Sequence, residues 1–310
     1  MSEELYNATL RDEALIHLRG EGIGAFLQGQ LTCDMRGFGP GRAVAGVMCT
    51  VKGRGISDLW VVAVDDGHAC LRLRSSLADT LAENLERYAR FSRITCTVDE
   101  RREVITGYYG DDIPLQALGL DAVGACKRTG DSIFLRSAGR LVQRIDLPGG
   151  EAGEASGSGC APELMASAGA GSEGDWRALE LLTGHMALEE RDRDRFTPQA
   201  LNFDRSGRVA FDKGCYTGQE VVARLHYKGR AKQRLQIFRS GTSGAASAPR
   251  IGAAILDSEG RAVGELLRAE VLADRDVVVA ALLRHDEARS DLRLTDGREL
   301  SRVHGAPGAD

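Results

Sequence analysis

Residues 42–74 read RAVAGVMCTVKGRGISDLWVVAVDDGHACLRLR. Three apolar runs are separated by the short glycine turns KGRG and DG. Such short connections can join only antiparallel strands, because a parallel pair needs a crossover of about a dozen residues or more. We therefore predict three neighbouring antiparallel strands here.

Strands and helices alternate on both sides of this segment. A strand precedes it at residues 14–20, and residues 22–32 form a short helix with Ile23, Phe26 and Leu27 on one side. Ser75 or Ser76 caps the helix that follows it. The apolar face of that helix consists of Leu77, Leu81, Leu85 and Tyr88. Further predicted elements are strands at 93–98 and 103–109, a helix at 111–120 and a hairpin over 131–148. Antiparallel hairpins interleaved with helices favour an α+β fold over a doubly wound parallel sheet.

The second half of the chain begins with a change of composition. Residues 149–174 are rich in Gly, Ala and Ser, which indicates an exposed, flexible insertion in which Cys160 is a bystander. Beyond residue 233, short strands recur at close spacing and predict a small β-barrel or sandwich of its own.

Bulk properties exclude several classes of protein. The net charge of −5 is modest, and no apolar run approaches the roughly 18–20 residues that span a bilayer. Seven cysteines are scattered without a CxxC pair, so we expect a reducing cytoplasm and neither a disulfide framework nor a zinc site. The amino-terminal residues do not form a signal peptide pattern.

The most informative cysteine lies in KGCYTGQEVVAR, residues 213–224. Thr217 and Glu220 fit a capping box for a helix, with Cys215 just before its positive end. That position and the nearby Lys213 favour the thiolate, the form that attacks electrophiles and binds metals. The pattern alone leaves three alternatives: a structural cysteine in a tight turn, a reactive thiol and a metal ligand.

The segment FTPQALNFDRSGRVAFDKGCYTGQEVVARLHYKGRAKQRL, residues 196–235, closely resembles the YgfZ family. The family pattern Lys-Gly-Cys-aromatic-x-Gly-Gln-Glu followed by Ala-Arg is met throughout, and AFLQGQLTCDM and RYARFSRIT also look like this family. The resemblance implies a folate-binding protein linked to iron–sulfur protein maturation. It also implies a fold like that of the glycine-cleavage aminomethyltransferase (the T-protein), with domains around a central folate cavity.

This resemblance implies domain boundaries. A discontinuous folate-binding α+β domain covers 1–100 and 175–232, and a second, ferredoxin-like α+β domain covers 101–148. The insertion at 149–174 and a C-terminal β-barrel at 233–310 complete the chain.

It also implies site residues. GRGISDLWVV resembles the T-protein segment that carries the catalytic aspartate, and Asp58 falls on that aspartate. Where a T-protein-like glutamate holds the pterin, this chain has Leu182, with Glu180 two residues away. The predicted catalytic residues are Cys215, Lys213 and Asp58. The predicted folate-binding residues are Asp58, Tyr216, Gln219, Glu220 and Arg224.

The leading hypothesis is a cytoplasmic, monomeric protein that binds tetrahydrofolate or a derivative and helps to build or repair iron–sulfur clusters on client enzymes. Cys215 would serve as nucleophile or transient cluster ligand, and no permanent metal is expected. The alternative is a folate-dependent aminomethyltransferase or demethylase that uses Asp58. Whether the chain is an enzyme stays open. Its expected partners are folate and iron–sulfur client or assembly proteins, not a membrane.

Seven basic residues without an acid between Val221 and Leu256 raise nucleic-acid binding as a third possibility, which is not favoured.

Overall fold

The computed structural model describes residues 4–148, 165–241, 248–273, 276–284 and 291–303. Most of the predicted insertion, residues 149–164 with Cys160, lies outside this part of the chain. The chain divides into two compact units. Unit 1 comprises Met1–Glu173, Ala187–Arg195 and Arg208–Gln219, and unit 2 comprises Gly174–Met186, Phe196–Gly207 and Glu220–Asp310.

Unit 1 is built on two sheets. Its strands are β1 (Leu5–Thr9), β2 (Glu13–Arg19), β3 (Ala43–Cys49), β4 (Gly55–Asp65), β5 (His68–Arg74), β6 (Thr95–Val98), β7 (Ile105–Gly110), β8 (Cys126–Thr129), β9 (Ser132–Ala138), β10 (Leu141–Asp146) and β11 (Gly169–Ala170). The first sheet has the order β3-β4-β5-β2-β6 and is antiparallel throughout. The meander predicted over residues 42–74 is therefore confirmed.

The second sheet has the order β11-β1-β7-β10-β9-β8. Its only parallel pair in the described residues joins β1 to β11, and the other pairs are antiparallel. β1 and β11, about 160 residues apart in the chain, thus join β7–β10 in one sheet. The predicted boundary between a 1–100 and a 101–148 domain stays a prediction.

The helices of unit 1 are α1 (Ile23–Gln28) and α2 (Ala78–Ala89). Ile23, Phe26 and Leu27 are buried as predicted. The predicted serine cap is wrong: a 3-10 turn over Ser75–Leu77 precedes α2, and neither start has a side-chain cap. Tyr88 is half exposed, because the buried stripe of α2 continues from Leu85 to Ala89 instead.

The helix predicted at 111–120 is also wrong. These residues form turns, with a single helical hydrogen bond from Leu118 N to Pro114 O. Pro114 removes an amide donor, and Gly119 has a positive φ of 67°, so too few residues lie between them to extend a helix.

Unit 2 contains most of α3 (Glu173–Leu182) and α4 (Gln219–Lys228) and a closed barrel. The barrel strands are β12 (Gln233–Ser240), β13 (Ala254–Leu256), β14 (Ala262–Val271), β15 (Val277–Arg284), β16 (Leu292–Leu294) and β17 (Glu299–Arg302). They close in the order β12-β15-β14-β13-β16-β17 around an apolar core that includes Phe238, Leu266 and Val279. The α+β class and the C-terminal barrel are confirmed.

Among the described helices, none combines the length and the apolar character that crossing a bilayer requires.

Candidate functional site

The signature loop, residues 213–218, is held at its start by Lys213. The ammonium Nζ donates to the backbone oxygens of Gln28 at 2.8 Å, Leu31 at 2.7 Å and Cys33 at 2.5 Å. An ammonium has three N–H donors, so these carbonyls use all of them. Burial lowers the pKa of Lys213 below its usual 10.5, an effect partly offset by Cys33 and Asp34.

The end of the signature loop is held by Gly218. Its φ is 83°, and a Cβ there would lie 2.4 Å from the backbone oxygen of Thr50 in the β3–β4 turn. Only glycine fits this conformation and this approach. The same φ makes Gly218, not Thr217, the last residue before α4, so the predicted capping box does not form.

Cys215 lies between these two anchors and is exposed. Of the other described cysteines, Cys33, Cys49, Cys70 and Cys126 are buried and Cys96 is partly buried. Burial raises the pKa of Cys33 to about 11 and that of Cys49 to about 12, so both are neutral thiols at physiological pH. Cys215 is therefore the accessible thiol of the described chain.

Tyr216 turns into unit 1 beside the exposed thiol. Its ring is buried, and the Lys213 ammonium lies 5.1 Å from the ring centroid. Burial raises the pKa of the phenol, with Cys49 adding to the effect. Gln219 is partly buried and donates its backbone N–H to Tyr216 O at 3.2 Å. The side chain of Tyr216 thus contributes to the packing that fixes the signature loop.

Asp58 is buried on β4. Its Oδ1 accepts the backbone N–H of Leu188 at 2.7 Å, and its Oδ2 lies 3.9 Å from Nε of Arg208. The Arg208 guanidinium also lies 5.6 Å from the ring centroid of Trp60, within the range of a cation–π contact. Sequence reasoning missed Arg208, because nothing local in the sequence links it to a strand about 150 residues earlier.

A short segment, Leu31 to Cys33, connects these two groups of contacts. Its carbonyls hold Lys213, while the Thr32 hydroxyl donates to Arg208 O at 2.6 Å and Thr32 O accepts from Ala210 N at 2.9 Å. Lys213 and the Asp58 neighbour Arg208 are therefore both bonded to the segment from Leu31 to Cys33. No hydrogen bond or ion pair of the described residues joins Asp58 itself to Lys213 or Cys215.

The remaining predicted residues lie in unit 2. Glu220 and Arg224 are both exposed on α4. Glu180, near the position where the T-protein-like pattern has a glutamate, is buried on α3. Leu182 is only partly buried.

A cavity of about 510 Å³ opens elsewhere in unit 1, at the β1–β11 edge of the six-stranded sheet. Tyr6, Asp112 and Gly169 are among its lining residues, and none of the predicted site residues lines it.

Comparison with known proteins identifies relatives along almost the whole chain, although no family model matches. The tRNA-modifying protein YgfZ of Escherichia coli O127:H6 (strain E2348/69 / EPEC) is 29% identical over 311 residues, covering 96% of this chain and 92% of the relative. The tRNA-modifying protein YgfZ of Hamiltonella defensa subsp. Acyrthosiphon pisum (strain 5AT) is 30% identical over 303 residues, covering 95% and 88%.

The fold is that of a solved T-protein. The structure of the glycine cleavage system aminomethyltransferase T from Bartonella henselae matches with a TM-score of 0.71. The match covers 98% of this chain and 86% of that protein at 15% identity, which establishes a shared fold. The sequence relatives are far closer, and on their evidence this protein belongs to the YgfZ family.

Proposed function

We propose that this protein is a cytoplasmic, monomeric folate-binding factor that assists the assembly or repair of iron–sulfur clusters on client enzymes through Cys215. The observation that carries the proposal is the exposure of this thiol on a loop anchored at Lys213 and Gly218. A thiol that served only to fill a tight turn would have no reason to face solvent, so the structural alternative is the weakest of the three.

The number of available thiols favours a transient role. Iron–sulfur clusters are held by about four ligands, usually Cys thiolates. Cys215 is the one exposed cysteine among the described residues, so it could complete a ligand set only together with ligands from a client. We therefore assign it as a temporary ligand or nucleophile for a cluster in transit.

Tetrahydrofolate is the proposed cofactor, and the residues fit it in part. A carboxylate can pair with the aminopyrimidine edge of a pterin through two hydrogen bonds. Asp58 supplies a buried carboxylate in unit 1. Tyr216 and Gln219 stay proposed contacts, as do the exposed Glu220 and Arg224. Bound folate would supply a one-carbon unit for transfer. If the protein does not turn folate over, its occupancy would instead report how much folate is available.

The names of the relatives suggest which class of client enzyme the protein serves. Because they are described as tRNA-modifying proteins, we propose that the client is an iron–sulfur enzyme that modifies tRNA. In cells that lack the protein, we expect the wild type and a Cys96→Ser control to restore both the cluster content of that client and the tRNA modification. Cys215→Ser should restore neither. Full restoration by Cys215→Ser would refute the role of this thiol.

Folate binding has its own test. Tetrahydrofolate at about 100 times its dissociation constant should stabilise the protein by about 2.7 kcal/mol, which a thermal unfolding scan detects. Asp58→Asn should reduce that shift, and Asp66→Asn, in an exposed turn, should not. An unchanged melting temperature at saturating tetrahydrofolate would remove folate from the proposal and leave the thiol chemistry to stand alone.

One-carbon transfer is the second candidate, favoured by the buried and oriented carboxylate of Asp58. It predicts turnover of a methylamine donor in the presence of tetrahydrofolate, lost in Asp58→Asn and retained in Cys215→Ser. The maturation proposal predicts instead that Cys215→Ser abolishes restoration of the client.

Direct contact with tRNA is a third outcome that the assays must separate. Six of the seven basic residues between Val221 and Leu256 are exposed. They are Arg224, Lys228, Arg230, Lys232, Arg239 and Arg250. If they bind phosphates, affinity for tRNA should fall steeply with salt and with Lys228→Ala. Client maturation through protein contacts should not require tRNA in the assay.

A further inference from the structure

Two neighbouring strands of the five-stranded sheet bring two imidazoles and a thiol together. His17 on β2 pairs in register with Cys70 on β5, and His68 lies two residues before Cys70 on the same face. All three residues are buried. None of them belongs to the signature loop or to the contacts of Asp58 described above.

The three potential ligand atoms converge. His17 Nδ1 lies 2.9 Å from His68 Nε2 and 3.3 Å from Cys70 Sγ, and His68 Nε2 lies 3.9 Å from Cys70 Sγ. With bonds of about 2.0–2.1 Å to nitrogen and about 2.3 Å to sulfur, a tetrahedral Zn²⁺ requires about 3.3 Å between nitrogens and about 3.6 Å between nitrogen and sulfur. Each observed separation needs to change by only a few tenths of an ångström.

A fourth residue orients the first imidazole. Asp99 Oδ2 lies 3.0 Å from His17 Nε2, on the side of the ring that faces away from His68. Arg101 donates to both oxygens of Asp99. A carboxylate in this position can accept an Nε2–H from His17, which directs Nδ1 of the same ring towards His68 and Cys70 as a ligand atom, the arrangement of metal-binding histidines.

We propose that His17, His68 and Cys70 bind one transition-metal ion of the zinc class, with Asp99 as the hydrogen-bond partner that orients His17. Two imidazoles and one thiolate form a borderline-soft donor set, which suits Zn²⁺ and its analogue Co²⁺ rather than Mg²⁺ or Ca²⁺. Three protein ligands leave the fourth tetrahedral position to water or an added ligand. This site would replace the expectation of no permanent metal, and it stands independently of the proposed function.

Binding is balanced by the release of one proton. Without metal, the Nε2–H of neutral His68 can donate to His17 Nδ1, while Cys70 holds its thiol proton. Metal binding removes the thiol proton, and the His68 proton moves to Nδ1 of the same ring.

A purely hydrogen-bonded cluster is the competing explanation, and Co²⁺ separates the two. Full-length protein carrying Cys160→Ser and Cys215→Ser would be stripped with a chelator, reduced and titrated with Co²⁺. We expect a thiolate-to-cobalt charge-transfer band at one ion per chain, displaced by Zn²⁺. The band should disappear in Cys70→Ser and persist in the matched control Cys96→Ser, whose thiol is on β6 of the same sheet.

The orienting residue gives a graded readout. Asp99→Asn should weaken Co²⁺ affinity by about 10–100-fold without removing the band, as expected for loss of a partner beyond the ligands. X-ray absorption of the Co²⁺-loaded parent protein reads the ligand set directly and does not depend on any variant folding. One sulfur with two imidazoles supports the site. Absence of the band, its survival in Cys70→Ser or a ligand set without sulfur overturns it.

Discussion

Lys213 and Cys215 are two residues apart, yet their side chains have opposite environments. The Lys213 ammonium is buried and bonded to three carbonyls, whereas Cys215 is exposed. The sequence indicated that a positive charge and a thiol belong together at this point. It could not show that the charge has all its donors bound to the end of α1 and the residues just after it, because these lie about 180 residues earlier.

Removing the Lys213 ammonium should destabilise the protein. Lys213→Ala leaves the carbonyls of Gln28, Leu31 and Cys33 without their donor, and we expect a loss of about 2–4 kcal/mol in the free energy of unfolding. Lys213→Arg should rescue little of it, because a planar guanidinium cannot match three acceptors that converge on one ammonium. Urea unfolding measures both effects.

The matched control is Lys232→Ala, which removes an exposed lysine and should change stability by less than about 0.5 kcal/mol. Equal stability of Lys213→Ala and Lys232→Ala would show that the buried bonds contribute nothing net.

At the level of secondary-structure elements, the β3–β4 turn and the signature loop pack closely against each other at Gly218. In Gly218→Ala, the new methyl group meets the Thr50 carbonyl at 2.4 Å and the residue must keep a φ of 83°. We expect a loss of about 2–4 kcal/mol, from the left-handed conformation and the clash together.

Gly214 provides the comparison in the same loop. A Cβ at Gly214 meets no atom within 4 Å, so Gly214→Ala should stay within about 0.5 kcal/mol of the wild type. Thermal or urea unfolding of the pair tests the geometry, and similar effects for both glycines would argue against this packing.

The β13–β14 turn of the barrel carries a pH-dependent contribution. Asp257 accepts from the backbone N–H groups of Glu259 and Arg261 and from the Arg261 side chain. Burial acts to raise the pKa of Asp257, but these hydrogen bonds lower it from 3.8 to about 2. Because the pKa is lower in the folded state, ionised Asp257 stabilises the protein at pH values above the unfolded pKa of 3.8. This stabilisation is lost as the pH falls through about 2.

Asp257→Asn should therefore be less stable than the wild type at neutral pH, and the difference should shrink between pH 3.8 and about 2. Urea midpoints across this range measure it. A difference that is independent of pH would mean that the amide replaces only shape and not charge.

Sequence patterns predicted elements well where the local signal was sufficient. Glycine turns and runs of apolar residues identified β2 to β5 and the β9–β10 hairpin. β11, with only two residues, is too short to leave a pattern. Its pairing with β1 depends on a distant partner that no local window contains. The failed helix at 111–120 had apolar spacing but not enough length between Pro114 and Gly119.

For the whole molecule, the five lysines provide a map of exposure. Lys52, Lys127, Lys228 and Lys232 are exposed, and Lys213 is buried. Acetylation of the native protein with an amine-reactive ester should modify those four and the amino terminus, and leave Lys213 intact until denaturant is added. Peptide mass spectrometry reads each site. Rapid native acetylation of Lys213 would contradict its burial.

The candidate sites depended most on this larger scale. The signature loop could be predicted from sequence because its residues are consecutive. The Asp58–Arg208 pair and the His17–His68–Cys70 cluster could not be predicted. Their members are about 50 to 150 residues apart in the sequence, and only strand pairing and the path of the folded chain bring them together. Long-range pairing of this kind has no signature in a single sequence.

The double anchoring of the signature loop also has a kinetic meaning. Because both ends of the signature loop are fixed, the Cys215 thiol cannot move far towards an acceptor. Any reaction partner must therefore bring its electrophile or iron to the position of the sulfur. Little conformational entropy is then lost at Cys215 on encounter, and the cost of alignment falls on the incoming molecule. A small, freely diffusing disulfide should therefore react with Cys215 with little loss from misorientation, whereas a bulky protein acceptor must first find one orientation.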